Sequence, residues 1–403
     1  MGTSEHGDGH GSGRHSKRAR RSFVSQRREE DSDSEDDSDS GSEYDSSSSE
    51  DSGSECDRPQ HGHKRSRCRC ARHREVDLPV WRPRGTPTVE TCDAAEVGPE
   101  EAARLARTPQ GALALAESAW EYLQYVLACG ARDDAELCHR LGTDAAHVPC
   151  AQLHAGPFRP AFFVCVDDAH RRLVLCVRGS QEAPDAVTDL SALPVPFPSS
   201  NGKSGGAAAH GGFLVAARLL AHTAAPLLAA LQRAHPSYAV RLVGHSLGGA
   251  VAALLTLLLR ASLPRARAVV FGVPACVSAA LVPEARACVT SFVNADDPLP
   301  RLSTASVRAR LPRLPAALAR TRLVPPGTLL CLCADDGDAP RPEAGTAYAR
   351  LRVVDAAHFH ELVVGDRPVS SHFSEGYEAS FRELRSALRE RLGTRCVASA
   401  YPC

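Results

Sequence analysis

The chain of 403 residues is 43% hydrophobic and has a formal net charge of −1, so it has ample material for a large core. Its 15 cysteines are odd in number and scattered, which argues against a secreted disulfide framework and indicates a reducing compartment. The charged, glycine-rich N-terminus lacks the apolar segment of a secretory signal. The longest apolar run, residues 250–259 with one threonine, is far shorter than the roughly 20 residues that span a bilayer. We therefore expect a cytoplasmic chain without a transmembrane segment.

Residues 1–75 form a predicted disordered tail. Between positions 29 and 57, 14 of 29 residues are acidic and 11 are serine, and basic runs flank this block at 14–21 and 63–74. The segment has almost no apolar side chains to offset the entropy of ordering. A solvating extension is one interpretation, and serine phosphorylation or a nuclear or anionic-surface address is the other. The mixed charge argues against nucleic acid as a partner.

Residues 76–95 are predicted to be a linker, after which the pattern becomes that of a folded domain. Residues 113–129 carry an apolar stripe at helical spacing, formed by Leu113, Ala116, Trp120, Leu123 and Leu127. Two β-rich runs around the turn 167–170 indicate a hairpin. The Pro- and Gly-rich stretch 192–210 is predicted to be a mobile loop, in which Leu193, Val195 and Phe197 offer an apolar edge for lipid, or else a plain surface linker.

Helices and strands then alternate along the chain. Helix is predicted at about 212–234 and 247–259, and strand at 239–243, 268–272 and 289–294. This alternation indicates a mostly parallel sheet covered by helices on both faces. A final helix is expected to be capped by Ser374 and ended by Gly393, with a buried stripe that comprises Tyr377, Phe381, Leu384 and Leu388.

One pentad at a predicted strand-to-helix junction points to chemistry. Gly244-His245-Ser246-Leu247-Gly248 fits G-x-S-x-G, the nucleophile elbow of α/β-hydrolases. A serine in such a turn needs a base that takes its proton and an acid that orients the base, both later in the chain. The alternative is a glycine-rich turn in which Ser246 only caps the helix.

Candidates for the base and for the acid lie later in the chain. Asp296 and Asp297 end a predicted strand, and His372 lies in a loop before the final helix, with His358 and His360 as rivals. No metal site is expected, because Cys68 and Cys70 lack a second pair at zinc-ligand spacing, and acyl transfer by a serine requires no cofactor.

Six ordered blocks resemble the class 3 (fungal-type) lipases, and among them most closely the sn-1-specific diacylglycerol lipases. They are "LVLCVRGSQEAPDAVTDL" (173–190), "HGGF" (210–213), "VGHSLGGA" (243–250), "VTSFVNADDPLPRLS" (289–303), "VPPGTLL" (324–330) and "ELVVGDRPVSSHF" (361–373). The resemblance implies an α/β-hydrolase fold over about 96–395, followed by a short tail at 396–403. It also implies Ser246 as nucleophile, His372 as base and Asp297 as acid, with Asp296 as the fallback.

The resemblance further implies an oxyanion hole made of the backbone N–H of Leu247 and of Ser180 through its N–H and hydroxyl. We expect supporting roles for five residues: Gly244 and Gly248 in the elbow, His245 packed and hydrogen-bonded, His210 near the pocket mouth, and Asp189 anchoring the loop after Ser180.

The expected function is hydrolysis of acyl esters of glycerolipids through an acyl-enzyme. Diacylglycerol is the substrate that the resemblance implies, and phospholipids or small esters would use the same machinery. Contact with a membrane or lipid-droplet surface is expected to be peripheral. A catalytically silent scaffold or lipid-binding adaptor with a phosphorylatable tail is the alternative.

Overall fold

The computed structural model describes residues 92–182, 185, 188–189, 191–198, 206–302, 306, 321–334, 348–359 and 370–393. The predicted tails and most of the predicted linker lie outside these residues. Seven α-helices have both ends in the described part of the chain: α1 Pro99–Ala106, α2 Pro109–Ala128, α3 Asp134–Leu141, α4 Gly211–Ala234, α5 Leu247–Leu259, α6 Val282–Arg286 and α7 Ser374–Arg391.

Twelve strands occur in the same described segments. They are β1 Cys150–Gln152, β2 Phe162–Asp167, β3 Arg172–Val177, β4 Pro194–Pro196, β5 Ala208–His210, β6 Ala239–His245, β7 Arg267–Phe271, β8 Val277–Ser278, β9 Val289–Asn294, β10 Leu323–Val324, β11 Thr328–Ala334 and β12 Tyr348–Val354.

The large sheet has eight strands in the order β1-β2-β3-β6-β7-β9-β11-β12. Neighbouring strands from β3 through β11 pair in parallel, whereas β1, β2 and β12 add antiparallel edges. A second sheet, in the order β10-β8-β5-β4, is antiparallel throughout. The mostly parallel sheet predicted from the alternating pattern is confirmed, and with its flanking helices it is an α/β-hydrolase architecture.

Helices cover both faces of the large sheet because its central strands bury both faces. On β3, Leu175 belongs to one hydrophobic cluster and its neighbour Cys176 to the other, as the twofold alternation of a strand requires. Residues of α4 and α5 fill the first cluster, and residues of α1, α2 and α7 fill the second. Such strands read as continuous apolar runs, which is why the sequence predicts them well.

Three local expectations were wrong. The stretch 192–210 is not only loop, because β4 and β5 lie within it and pair with each other. Phe197 is 5% exposed and packs in the core, and Val195 is half-buried, so of the proposed apolar edge only Leu193, at 57%, is an exposed side chain. Ser374 is the first residue of α7 rather than its cap, and Phe373 occupies the cap position without a side-chain hydrogen bond.

The packed structure begins slightly before residue 96. Ala94 is completely buried, and its carbonyl accepts a 2.8 Å hydrogen bond from the hydroxyl of Thr290. Asp93 forms an ion pair with the buried Arg241 on β6 at 2.9 Å. This short segment lies within the predicted linker.

Among the described residues, α4 is the single helix long and apolar enough to cross a membrane by length and composition. Its Phe213, Leu214, Leu220 and Leu228 are nonetheless part of the core shared with α5. These contacts place one face of α4 against the core.

Candidate active site

Ser246 occupies the sharp turn between β6 and α5. Its backbone has φ 56° and ψ −128°, a conformation that residues other than glycine rarely adopt. Two backbone bonds hold the turn: the N–H of Ser246 donates to Phe271 O at 2.9 Å, and its carbonyl accepts from the N–H of Ala250 at 3.0 Å. A strained residue that its surroundings fix in this way is typical of a functional position.

Two glycines permit this turn. A Cβ atom on Gly244 would lie 2.4 Å from the carbonyl carbon and oxygen of Gly248, and one on Gly248 would lie 2.1 Å from the carbonyl oxygen of Val177. Both distances are far below van der Waals contact, so the first turn of α5 packs directly on the backbone of β6 and β3. The glycines of the pentad are therefore a packing requirement of the elbow.

The structure brings Ser246, His372 and Asp297 together from three separate segments. His372 Nε2 lies 2.9 Å from Ser246 Oγ. On the other side of the ring, Nδ1 lies 3.1 and 3.0 Å from the two carboxylate oxygens of Asp297. The imidazole thus bridges a hydroxyl and a carboxylate through its two nitrogens.

Asp297 follows β9 and is completely buried. It accepts hydrogen bonds from the hydroxyl of Tyr377 at 2.7 Å and from the N–H of Leu299 at 2.9 Å. Burial, and next the Asp297 carboxylate, hold the pKa of Tyr377 well above its ordinary value, so the phenol keeps the proton that it donates. The neighbouring Asp296 has a different partner, the hydroxyl of Tyr348.

The loop that carries His372 is attached to the sheet through its carbonyl groups. Asn294, the last residue of β9, donates from Nδ2 to Ser371 O at 2.8 Å. His245 Nε2 lies 2.5 Å from the carbonyl oxygen of His372. The rival His358 is exposed in a 3₁₀ helix and packs edge-on against Phe359, whereas His360 lies outside the described residues.

The two candidate oxyanion donors are Ser180, which follows β3, and Leu247, which follows β6. Leu247 is the first residue of α5, so its N–H has no acceptor within the helix. Ser180 is exposed on the cavity wall, and its hydroxyl donates to Asp189 at 2.7 Å. Burial raises the pKa of Asp189.

His210 lies beside the same cavity at the start of α4. Its ring stacks on Phe213 with centroids 3.8 Å apart, and Nδ1 accepts the Phe213 N–H at 3.4 Å. Burial lowers the pKa of His210 to about 4, so the ring is neutral near pH 7. In this state it caps α4 and forms part of the wall.

A cavity of about 860 Å³ opens above Ser246. Apolar side chains from several elements contribute to its wall, among them Val126, Phe213, Pro274, Leu299 and Leu323. Two more apolar side chains that line it, Leu302 and Phe373, are 43% and 53% exposed. The cavity can therefore take an apolar chain and has an apolar rim.

No group of three or more His, Cys, Asp or Glu side chains arranged to hold a metal ion occurs in the part of the chain that the structure describes.

Two residues that contribute to the site were not predicted from the sequence. Tyr377 was expected only as an apolar stripe residue, although a buried phenol hydroxyl needs a partner and could have signalled its bond. Asn294 offered no such signal, because its partner lies in a distant loop.

Comparisons with known proteins bear on this geometry. Residues 174–307 match the family model described as Lipase (class 3). Lipase A of Sodiomyces alcalophilus is 35% identical over 109 residues, which cover 24% of this chain and 26% of that protein. Diacylglycerol lipase-beta of Mus musculus is 32% identical over 161 residues, which cover 38% and 23%. The resemblance to class 3 lipases is therefore confirmed.

The matched stretches are about a quarter of the length of these two relatives. The family segment includes Ser180, Ser246 and Asp297 but ends before His372. Among solved structures, a lipase from Rhizopus microsporus var. chinensis is similar with a TM-score of 0.46 and 16% identity, over 64% of this chain and 86% of that one.

Proposed function

We propose that this chain, which carries a class 3 lipase segment at residues 174–307, is a serine lipase that hydrolyses acyl esters of glycerolipids. One observation carries the proposal: the continuous contact from Ser246 Oγ through the His372 ring to the buried Asp297 carboxylate. A serine hydroxyl is a poor nucleophile without such a base and orienting acid.

The reaction begins when Ser246 Oγ attacks the ester carbonyl carbon and its proton passes to His372 Nε2. The resulting imidazolium donates from Nδ1 to Asp297, whose charge stabilises it. The tetrahedral intermediate collapses as His372 returns the proton to the leaving alcohol, which leaves an acyl group on Ser246. Water then attacks the acyl carbonyl carbon while His372 takes its proton, and the bond to Ser246 Oγ breaks as His372 returns the proton to that oxygen, which releases the fatty acid.

The negative oxygen of the tetrahedral intermediate would be stabilised by the N–H groups of Leu247 and Ser180. The Ser180 hydroxyl already donates to Asp189, which favours the backbone N–H of Ser180 as the second donor. Asp189 then keeps Ser180 at the cavity wall. Loss of one such donor typically lowers kcat by about 10²–10³-fold.

The cavity supports an acylglycerol as substrate. Its apolar wall suits an acyl chain, and the exposed Leu302 and Phe373 at the rim suit contact with the surface of a membrane or lipid droplet. Diacylglycerol is the proposed substrate because the mouse relative is named as a diacylglycerol lipase. The contact of this rim with a membrane or lipid droplet would be peripheral.

The test is release of fatty acid from diacylglycerol micelles by purified wild type, Ser246→Ala and Ser262→Ala. Ser262 is an exposed serine whose hydroxyl donates to the nearby Leu259 carbonyl, so it is a matched control. We expect Ser246→Ala to lower the rate by at least about 10³-fold and Ser262→Ala to leave it unchanged. A folded wild type without activity would favour the silent scaffold instead.

A further inference from the structure

We infer that His245 is a positioning residue, which holds the backbone of His372 so that the base faces Ser246. The inference rests on the proposed function, because it concerns the base of that reaction. Its basis is the 2.5 Å contact between His245 Nε2 and the carbonyl oxygen of His372, at a side chain only 7% exposed.

The direction of this hydrogen bond follows from its partners. A carbonyl oxygen can only accept, so His245 Nε2 must carry a hydrogen. Burial, and next the proximity of His372, lower the pKa of His245 to about 3, so the ring is neutral and Nε2 holds its single proton. The bond therefore consists of a neutral N–H donating to the backbone of the base.

A neutral donor suits this position electrostatically. The rings of His245 and His372 have centroids 4.8 Å apart, and the Tyr377 ring packs edge-on with His245 at a centroid distance of 5.6 Å. His372 becomes an imidazolium during the reaction, and a cation at His245 would oppose this charge. A neutral imidazole supplies the hydrogen bond without this repulsion.

The bond completes a set of restraints on the base. Asn294 holds the carbonyl of Ser371, on the N-terminal side of the His372 α-carbon, and His245 holds the carbonyl on its C-terminal side. Asp297 restrains the ring itself. Because His245 immediately precedes Ser246, the bond also ties the loop of the base directly to the strand that carries the nucleophile.

The experiment compares His245→Gln with His245→Leu and His245→Asn. A glutamine amide nitrogen can reach the position of Nε2, a leucine fills similar space without a donor, and an asparagine nitrogen is too short to reach. The measurements are kcat and KM on a soluble short-chain ester, the second-order rate of labelling by a fluorophosphonate, and the urea midpoint.

We expect His245→Leu and His245→Asn to lower kcat and the labelling rate about 10–100-fold with KM changed less than about threefold, because small misplacements of a base are costly. His245→Gln should retain at least about a third of both rates. Where His245→Leu fails to fold, the Gln and Asn pair decides the question.

Two outcomes overturn the inference. One is full activity in His245→Leu or His245→Asn. The other is equal loss in all three variants in proportion to their urea midpoints, which would make His245 a packing residue. A wild type that does not label at all would instead reject the proposed function, so the two failures are distinguishable.

Discussion

Two adjacent aspartates at the end of β9 have different surroundings. Asp297 is completely buried and contacts His372 Nδ1, whereas the Asp296 carboxylate accepts from Tyr348 on the edge strand β12. Their neighbouring positions give a matched pair, since both side chains have the same chemistry and only one contacts the imidazole.

Asp297→Asn should lower kcat by about 10³–10⁴-fold on any ester substrate, because a neutral amide cannot stabilise the imidazolium or impose the same tautomer on His372. Asp296→Asn should change kcat by less than about tenfold. Steady-state kinetics of both variants check the prediction, together with circular dichroism to establish folding. Equal losses in the two variants would contradict the assignment of Asp297.

At the scale of elements, the elbow depends on how closely α5 approaches the sheet. The first turn of this helix rests on the backbone of β3 and β6 through Gly244 and Gly248. The same approach places the start of α5 beside the end of β3, where Ser180 follows. The geometry of the proposed nucleophile and of the proposed oxyanion donors thus depends on one packing contact.

Gly248→Ala should therefore displace α5 from β3, because the added methyl carbon would meet the carbonyl oxygen of Val177 at 2.1 Å. We expect a stability loss of about 1–3 kcal/mol and a kcat at least about tenfold lower. Gly98→Ala is the control, since nothing lies within 4 Å of its added carbon, and it should cost less than about 1 kcal/mol. Urea unfolding and ester hydrolysis measure both effects, and wild-type kcat in Gly248→Ala would refute the argument.

For the whole molecule, the sequence was sufficient to predict the layered α/β architecture. Buried parallel strands and the helices that cover them have distinct apolar patterns, and both can be recognised locally. The hairpin β2–β3, the strand β9 and the helix α5 were all predicted closely for this reason. The G-x-S-x-G pentad was likewise local, because its glycines meet within one turn.

What the sequence could not predict depends on contacts between distant segments. The burial of Phe197 is due to packing against the core, which the alternation of prolines and apolar residues did not reveal. The supports of the site, Asn294 and Tyr377, act on Ser371 and Asp297 across about 80 residues of chain. Such partners become visible only when the sheet brings the ends of its strands together.

The role of Ser246 can be tested by mapping the site at which a fluorophosphonate labels the purified chain, with peptide mass spectrometry of the wild type and His372→Ala. The proposed base, His372, lies with Nε2 2.9 Å from the Ser246 hydroxyl, and loss of a base in such an arrangement lowers the reactivity of a serine by several orders of magnitude. We predict a single phosphonylated residue, Ser246, in the wild type, and labelling at least about 10³-fold slower in His372→Ala. Labelling at another serine, or equal labelling of Ser246 in both proteins, would refute the role of Ser246 as a nucleophile activated by His372.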